Sequence, residues 1–206
     1  NNHDFRTNGR GANWTTLPGH FKHHGYLTMG GGKTFHPGYP PNYDQPLSWS
    51  EDATYYPFKY SLANCPGPGP QPKATPLCTQ SDTWCPLDLS DDAFYDHGLA
   101  DDTIAKLRAA ASAKHPFYIA AGFARPHAPW RVPSRFWKLY ETSKLALAKH
   151  RSTIVGMPGV GWHQQGVYNA STGQIHLPTL SEPIPDAVQR SMRHAYYASI
   201  SYMDYE

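Results

Sequence analysis

Apolar positions along this chain gather in short runs separated by polar, Gly- and Pro-rich stretches. The first run, Tyr26-Leu27-Thr28-Met29, follows Gly25 and reads as a buried strand. Gly30-Gly31-Gly32 come next, where a backbone without side chains can turn sharply or approach a ligand. Residues 116–122 form a second apolar run and a second strand. Between them, residues 101–113 carry helical spacing, with Ile104 and Leu107 on one face and Ala110 and Ala111 continuing it. Asp101 and Asp102 suit the N-terminal end of that helix through its dipole. Strand, helix and strand in this order predict parallel pairing in an α/β sheet.

Weaker signals fill in the rest. Thr15 or Thr16 caps a short helix running to His24, with Pro18 in its first turn and Gly25 at its end. A short helix is predicted over residues 136–140, after Pro133. Pro185 opens a final helix whose stripe of Val188, Met192, Ala195, Tyr196 and Ser199 reads as core. Residues 37–97 and 141–183 show no sustained periodicity. They are read as irregular insertions, the first held at the surface by a disulfide and aromatic packing. The Pro66-Gly67-Pro68-Gly69-Pro70 run reads as a loop tip.

Composition narrows the class. A chain of 206 residues with 39% hydrophobic and 17% charged residues can build a real core. A net charge of +2 without a Lys/Arg run argues against a nucleic-acid partner. No apolar run approaches the length of a membrane span. The 20 prolines, 14 tyrosines and 6 tryptophans point to much ordered loop. The chain opens on Asn1-Asn2-His3-Asp4-Phe5 and stops inside a helical pattern, so both ends are expected to be cut from a longer protein.

Cys65, Cys78 and Cys85 lie close together without a Cys-x-x-Cys pair. One disulfide and one unpaired thiol fit them better than a zinc site. Sequons occur at Asn13-Trp14-Thr15 and Asn169-Ala170-Ser171. Together with the cysteines they lean toward a secreted, lysosomal or otherwise exported protein.

The candidate chemistry sits where the two strands end. Lys33 and His36 follow the first, a cation and a titratable donor three residues apart. Arg125 and His127 follow the second. Strand ends are where open α/β sheets place ligands, and parallel strands open on one edge. The coincidence favours an anion site over a Gly-rich loop with a solvated lysine. Trp130, beside His127, is a candidate for lining it. His23 and His24 suit the end of their helix. His97, His115, His150, His163, His176 and His194 carry no motif and read as structural or solvated.

Gly32-Lys33-Thr34-Phe35-His36 resembles the Gly-Lys-x-x-His segment of the sulfatases in the alkaline-phosphatase superfamily. Arg125-Pro126-His127 resembles their Lys/Arg-Pro-His segment. The likeness extends through Phe21-Lys22-His23-His24-Gly25-Tyr26, Cys85-Pro86-Leu87-Asp88 and Tyr196-Tyr197-Ala198-Ser199-Ile200-Ser201-Tyr202. Each motif alone is modest, but their order and separation are specific. The resemblance implies an α/β fold with a mostly parallel sheet flanked by helices, of which residues 1–206 form the central part. The family's early Asp-Asp pair, its Cys/Ser-x-Pro-x-Arg signature and its later Asp-His/Asn pair followed by Lys are absent from this sequence. Formylglycine and Ca²⁺ ligands are accordingly expected outside the chain, in the remaining parts of the domain. The chain alone is expected to be inactive.

By the same resemblance, Lys33 bridges the formylglycine and a sulfate oxygen. His36 hydrogen-bonds the formylglycine hydroxyl, and His127 contacts the sulfate as general acid toward the leaving oxygen. Arg125 is read as a contact for a substrate carboxylate, a task suited to a guanidinium. The family pattern favours Cys65–Cys85 as the disulfide, with Cys78–Cys85 the alternative. The implied substrate is a sulfated glycan. Other readings are a phosphodiesterase or phosphonate hydrolase of the superfamily, a non-catalytic His-rich binding module, and a pseudoenzyme.

Overall fold

A computed structural model of the chain describes residues 5–7, 11–50, 53–59, 83–150, 155–161, 167–169, 174–176 and 184–206. The chain divides into two compact units. One comprises residues 1–59 and 94–124 with Glu206; the other comprises residues 60–93 and 125–205.

The first unit is built on strand β1 (Leu27–Gly32), to which the two-residue strand β2 (Tyr56–Pro57) and strand β4 (Phe117–Gly122) are both paired in parallel. Leu27 faces Phe117 and the register runs unbroken to Gly32 opposite Gly122. The parallel pairing predicted from the two apolar runs is therefore present, and its consequence is that both strands end level with each other.

The Gly30-Gly31-Gly32 run lies inside β1 and serves packing rather than a ligand-facing turn. A Cβ on Gly30 would stand 2.6 Å from the Trp49 ring, which fills that side of the strand. Gly32 ends the strand at φ +74°, a conformation that residues with side chains rarely adopt. Trp49 itself is 1% exposed. It lies with Asp44, Ser48 and Tyr55 among the buried residues, so these side chains, read from sequence as part of an irregular stretch, supply core to this unit.

Helix α1 (Leu17–His23) begins as its sequence predicts. Thr16 caps it by accepting from Gly19 N at 3.1 Å, Pro18 lies in the first turn, and Gly25 follows at φ +79°. Helix α2 (Tyr95–Ala113) packs on β1 and β4 but starts six residues before the predicted Asp101. Its buried positions are Tyr95, Asp96, Leu99, Ala100 and Ala110, whereas Ile104 and Leu107 are exposed. Asp101 and Asp102 are interior to the helix, not at its dipole end. Asp102 pairs with Lys106, whose ammonium also donates to Gly30 O at 2.9 Å.

The second unit contains a parallel pair, β3 (Trp84–Leu87) with β5 (Trp130–Pro133), and an antiparallel pair, β6 (Val167–Asn169) with β7 (Gln174–His176). Neither pair was marked by hydrophobic period. Helix α3 (Ser134–Trp137) covers only part of the predicted 136–140. Helix α4 (Asp186–Tyr205) packs on β3, β5 and α3. It buries Val188, Ala195, Ala198, Ser199 and Tyr202; of the predicted stripe, Tyr196 is exposed. Tyr202, 0% exposed, takes that place against Phe136, with ring centroids 5.5 Å apart.

Candidate active site

Lys33 leaves β1 from a backbone fixed at three points. Its own N–H donates to Gly122 O at 2.6 Å, which extends the β1–β4 ladder one residue past the strand end. The Tyr55 hydroxyl donates to Gly32 O at 2.9 Å, and the Thr34 hydroxyl to Gly31 O at 2.9 Å. The Lys33 side chain is half-buried. Among the described residues its ammonium has no ion-pair or hydrogen-bond partner. The contrast with neighbouring cations is informative. Lys106 is held by Asp102 and Gly30 O, Lys22 by Pro46 O and Trp49 O, and Arg6 by Asp44. A half-buried cation on a rigid base is free to meet an anion without first giving up a protein partner among the described residues.

His36 lies three residues on, in the same loop, exposed, and bridged to Tyr39 through the backbone. Its Nδ1 lies 3.2 Å from Pro37 O. A carbonyl only accepts, so Nδ1 carries the proton and Nε2 is the acceptor nitrogen of the neutral ring.

Arg125, His127 and Trp130 belong to the second unit. His127 is exposed, and its Nδ1 donates to Ala128 O. The tautomer matches that of His36: each imidazole gives its Nδ1 proton to a backbone carbonyl. Trp130 donates Nε1 to Pro126 O at 2.7 Å and sets its ring against Tyr196 at 6.0 Å. The Arg125 guanidinium is buried, donating to Arg131 O and His127 O. Lys33 and His36 thus share one loop and the other three share another; their meeting at one substrate is a matter of proposal.

Two supporting residues carried no sequence signal. Tyr55 sits in the stretch read as irregular, and burial holds its phenol up at about 12. Asp96, 1% exposed at the start of α2, accepts from Ala124 N at 2.7 Å and so fixes the backbone just before Arg125. The cluster of aromatics at 55–58 and the unaccounted carboxylate before Leu99 were the available hints.

Of the remaining histidines, His23, His115 and His150 are exposed. His194 bonds Thr142 and Trp137 O, and His97 bonds Glu206. His163 lies outside the described residues. Cys85 is disulfide-bonded. Its possible partners, Cys65 and Cys78, lie outside the described residues, as does the loop tip at 66–70. Asn13 is exposed, and Asn169 lies in β6 opposite Gln174. Among the described residues, no three His, Cys, Asp or Glu side chains are grouped to hold a metal ion. No described helix is long and apolar enough to cross a membrane.

Two parallel strands end level, with Lys33 and His36 following β1 in sequence and Arg125 and His127 following β4. A sequence model of the family described as Sulfatase matches residues 1–206, and the chain belongs to that family. Over 200 residues it is 33% identical to iduronate 2-sulfatase of Homo sapiens, an alignment covering 94% of this chain and 36% of that protein. Over 203 residues it is 32% identical to iduronate 2-sulfatase of Mus musculus, with coverage of 94% and 35%. A protein named Sulfatase from Formosa agariphila is 28% identical over 193 residues, with coverage of 92% and 36%. The chain spans about a third of the length of these relatives.

Proposed function

We propose that the protein containing this chain hydrolyses sulfate monoesters of glycans, a reading supported by its likeness to proteins named iduronate 2-sulfatase, and that Lys33, His36 and His127 act on one ester. The observation carrying this reading is the half-buried ammonium of Lys33, without a partner among the described residues, on a strand end fixed by three hydrogen bonds. A sulfate monoester is an anion whose alkoxide leaves poorly. Lys33 neutralises charge on the sulfuryl oxygens, from a position that needs no rearrangement as that charge redistributes. His127, protonated at Nε2, gives its proton to the departing oxygen, while Nδ1 stays bound to Ala128 O. His36 is assigned to the nucleophile side of the ester, where its imidazole accepts or relays a proton. Trp130 lines the same space.

Formylglycine would supply the attacking oxygen and Ca²⁺ would polarise the sulfate, both provided on this reading by parts of the protein other than this chain. Protein export, to a secreted or lysosomal compartment, is supported by the disulfide at Cys85 and by the exposed sequon at Asn13. Asn169 is the second candidate for glycosylation, and Cys65 the candidate partner of Cys85.

The test is sulfate release by the full-length protein carrying Lys33→Ala. The predicted loss in kcat is about 10²–10³-fold, as for removal of a positioned charge-stabilising donor. A variant as fast as wild type removes Lys33 from the mechanism.

A further inference from the structure

We propose that Arg125 is a positioning residue for His127: its guanidinium holds the 125–131 loop in the shape that presents the imidazole, rather than reading a substrate carboxylate. The assignment rests on the sulfatase reading above. Arg125 is 3% exposed. Its Nε and Nη2 donate to a single carbonyl, Arg131 O, at 3.3 and 3.2 Å. Its Nη1 donates to His127 O at 3.4 Å. Arg131 is a residue of β5 and pairs with Cys85 of β3, so the acceptor is anchored in a sheet. The guanidinium therefore links a fixed strand to the backbone of His127 itself.

Only a planar fork can do this. Arg directs several N–H groups in fixed relative directions, whereas an ammonium is a point donor on a flexible stem. On the other side of the loop Trp130 Nε1 donates to Pro126 O at 2.7 Å. His127 adds its own tie, Nδ1 to Ala128 O. With Nδ1 fixed, any shift of the loop is a shift of Nε2, the nitrogen that must face the leaving oxygen. To meet a carboxylate, the Arg125 guanidinium would have to give up the carbonyls that shape the loop.

The full-length protein carrying Arg125→Met or Arg125→Lys tests this on two substrates without a carboxylate. Phenyl sulfate releases an oxygen that needs a proton, and 4-nitrophenyl sulfate one that leaves more readily without it. The expected result is a kcat on phenyl sulfate lowered about 10- to 100-fold in Arg125→Met, the scale of a misplaced catalytic group. The loss on 4-nitrophenyl sulfate is smaller, and Arg125→Lys, which keeps charge without the fork, still loses. In a His127→Gln background Arg125→Met adds nothing further, because the two act as one unit. Wild-type kcat on both aryl sulfates in both variants, with weakened KM only for a carboxylated substrate, overturns the proposal. If the wild-type protein releases sulfate from no ester, the sulfatase reading fails by itself. Crystals of Arg125→Met then decide the proposal: a displaced His127 supports it and an unmoved one overturns it.

Discussion

Lys33 and Arg6 are both cations of the first unit, and the difference between them is a carboxylate. Arg6 meets Asp44 through two contacts, Nε to Oδ1 at 2.6 Å and Nη2 to Oδ2 at 2.8 Å, with Asp44 3% exposed and further bound by Ser48. The hydrogen bond to Asp44 raises the Arg6 pKa against the opposing effect of burial. Asp44→Ala leaves the guanidinium without its counter-charge and is predicted to cost about 3–5 kcal/mol in urea unfolding of the full-length protein. Lys33→Ala removes no such pair and should leave stability within about 0.5 kcal/mol while lowering kcat about 10²–10³-fold. Tyr55 gives a pH signature. Its phenol rises from 10.0 to about 12, first because it is buried. The folded state holds the proton more tightly, so the stabilisation is complete below pH ~10 and is lost as pH rises toward about 12. The span is worth roughly 2–3 kcal/mol. Tyr55→Phe should flatten that alkaline decline in denaturation curves measured across the window; an unchanged slope would mean that the phenol is not held as described.

At the scale of elements, strand and helix were legible to different degrees. The apolar runs of β1 and β4 are bounded by Gly25 and Pro116, and their parallel pairing followed from the helix between them. The buried face of α2 was not legible, because one of its members is a lysine. Lys106 runs along β1 and ends on Gly30 O, so a position that reads polar is covered. Ile104, roughly 140° round the helix from Leu99 at 3.6 residues per turn, lies off that face. Leu99 is 0% exposed, so Leu99→Ala is predicted to cost about 2–5 kcal/mol in urea unfolding. Ile104→Ala should cost well under half as much; equal costs would restore the helix face that hydrophobic spacing suggests. The strands β3 and β5 were missed because four-residue strands carry too little period to register. The same holds for the candidate site. Lys33, His36 and His127 were legible as residue types at strand ends. Tyr55, Asp96 and the loop-holding contacts of Arg125 act through backbone N–H and C=O groups, which every residue has and no sequence pattern marks.

For the whole molecule, the chain spans about a third of its curated relatives' length. On the proposed reading it would supply an ammonium and two imidazoles to a site whose nucleophile comes from elsewhere in the protein. The isolated 206-residue chain is therefore predicted to release no sulfate from a sulfated glycan or an aryl sulfate, measured against a buffer blank. Turnover by this chain alone, free of contaminating enzyme, would show that its nucleophile lies among residues given no such role. The most direct measurement is a crystal structure of the full-length protein with sulfate bound. The account predicts one sulfate with oxygens within about 3 Å of both Lys33 Nζ and His127 Nε2, and His36 on the nucleophile side of the same ion. A sulfate bound in a catalytic pocket from which either Lys33 or His127 is turned away would contradict it.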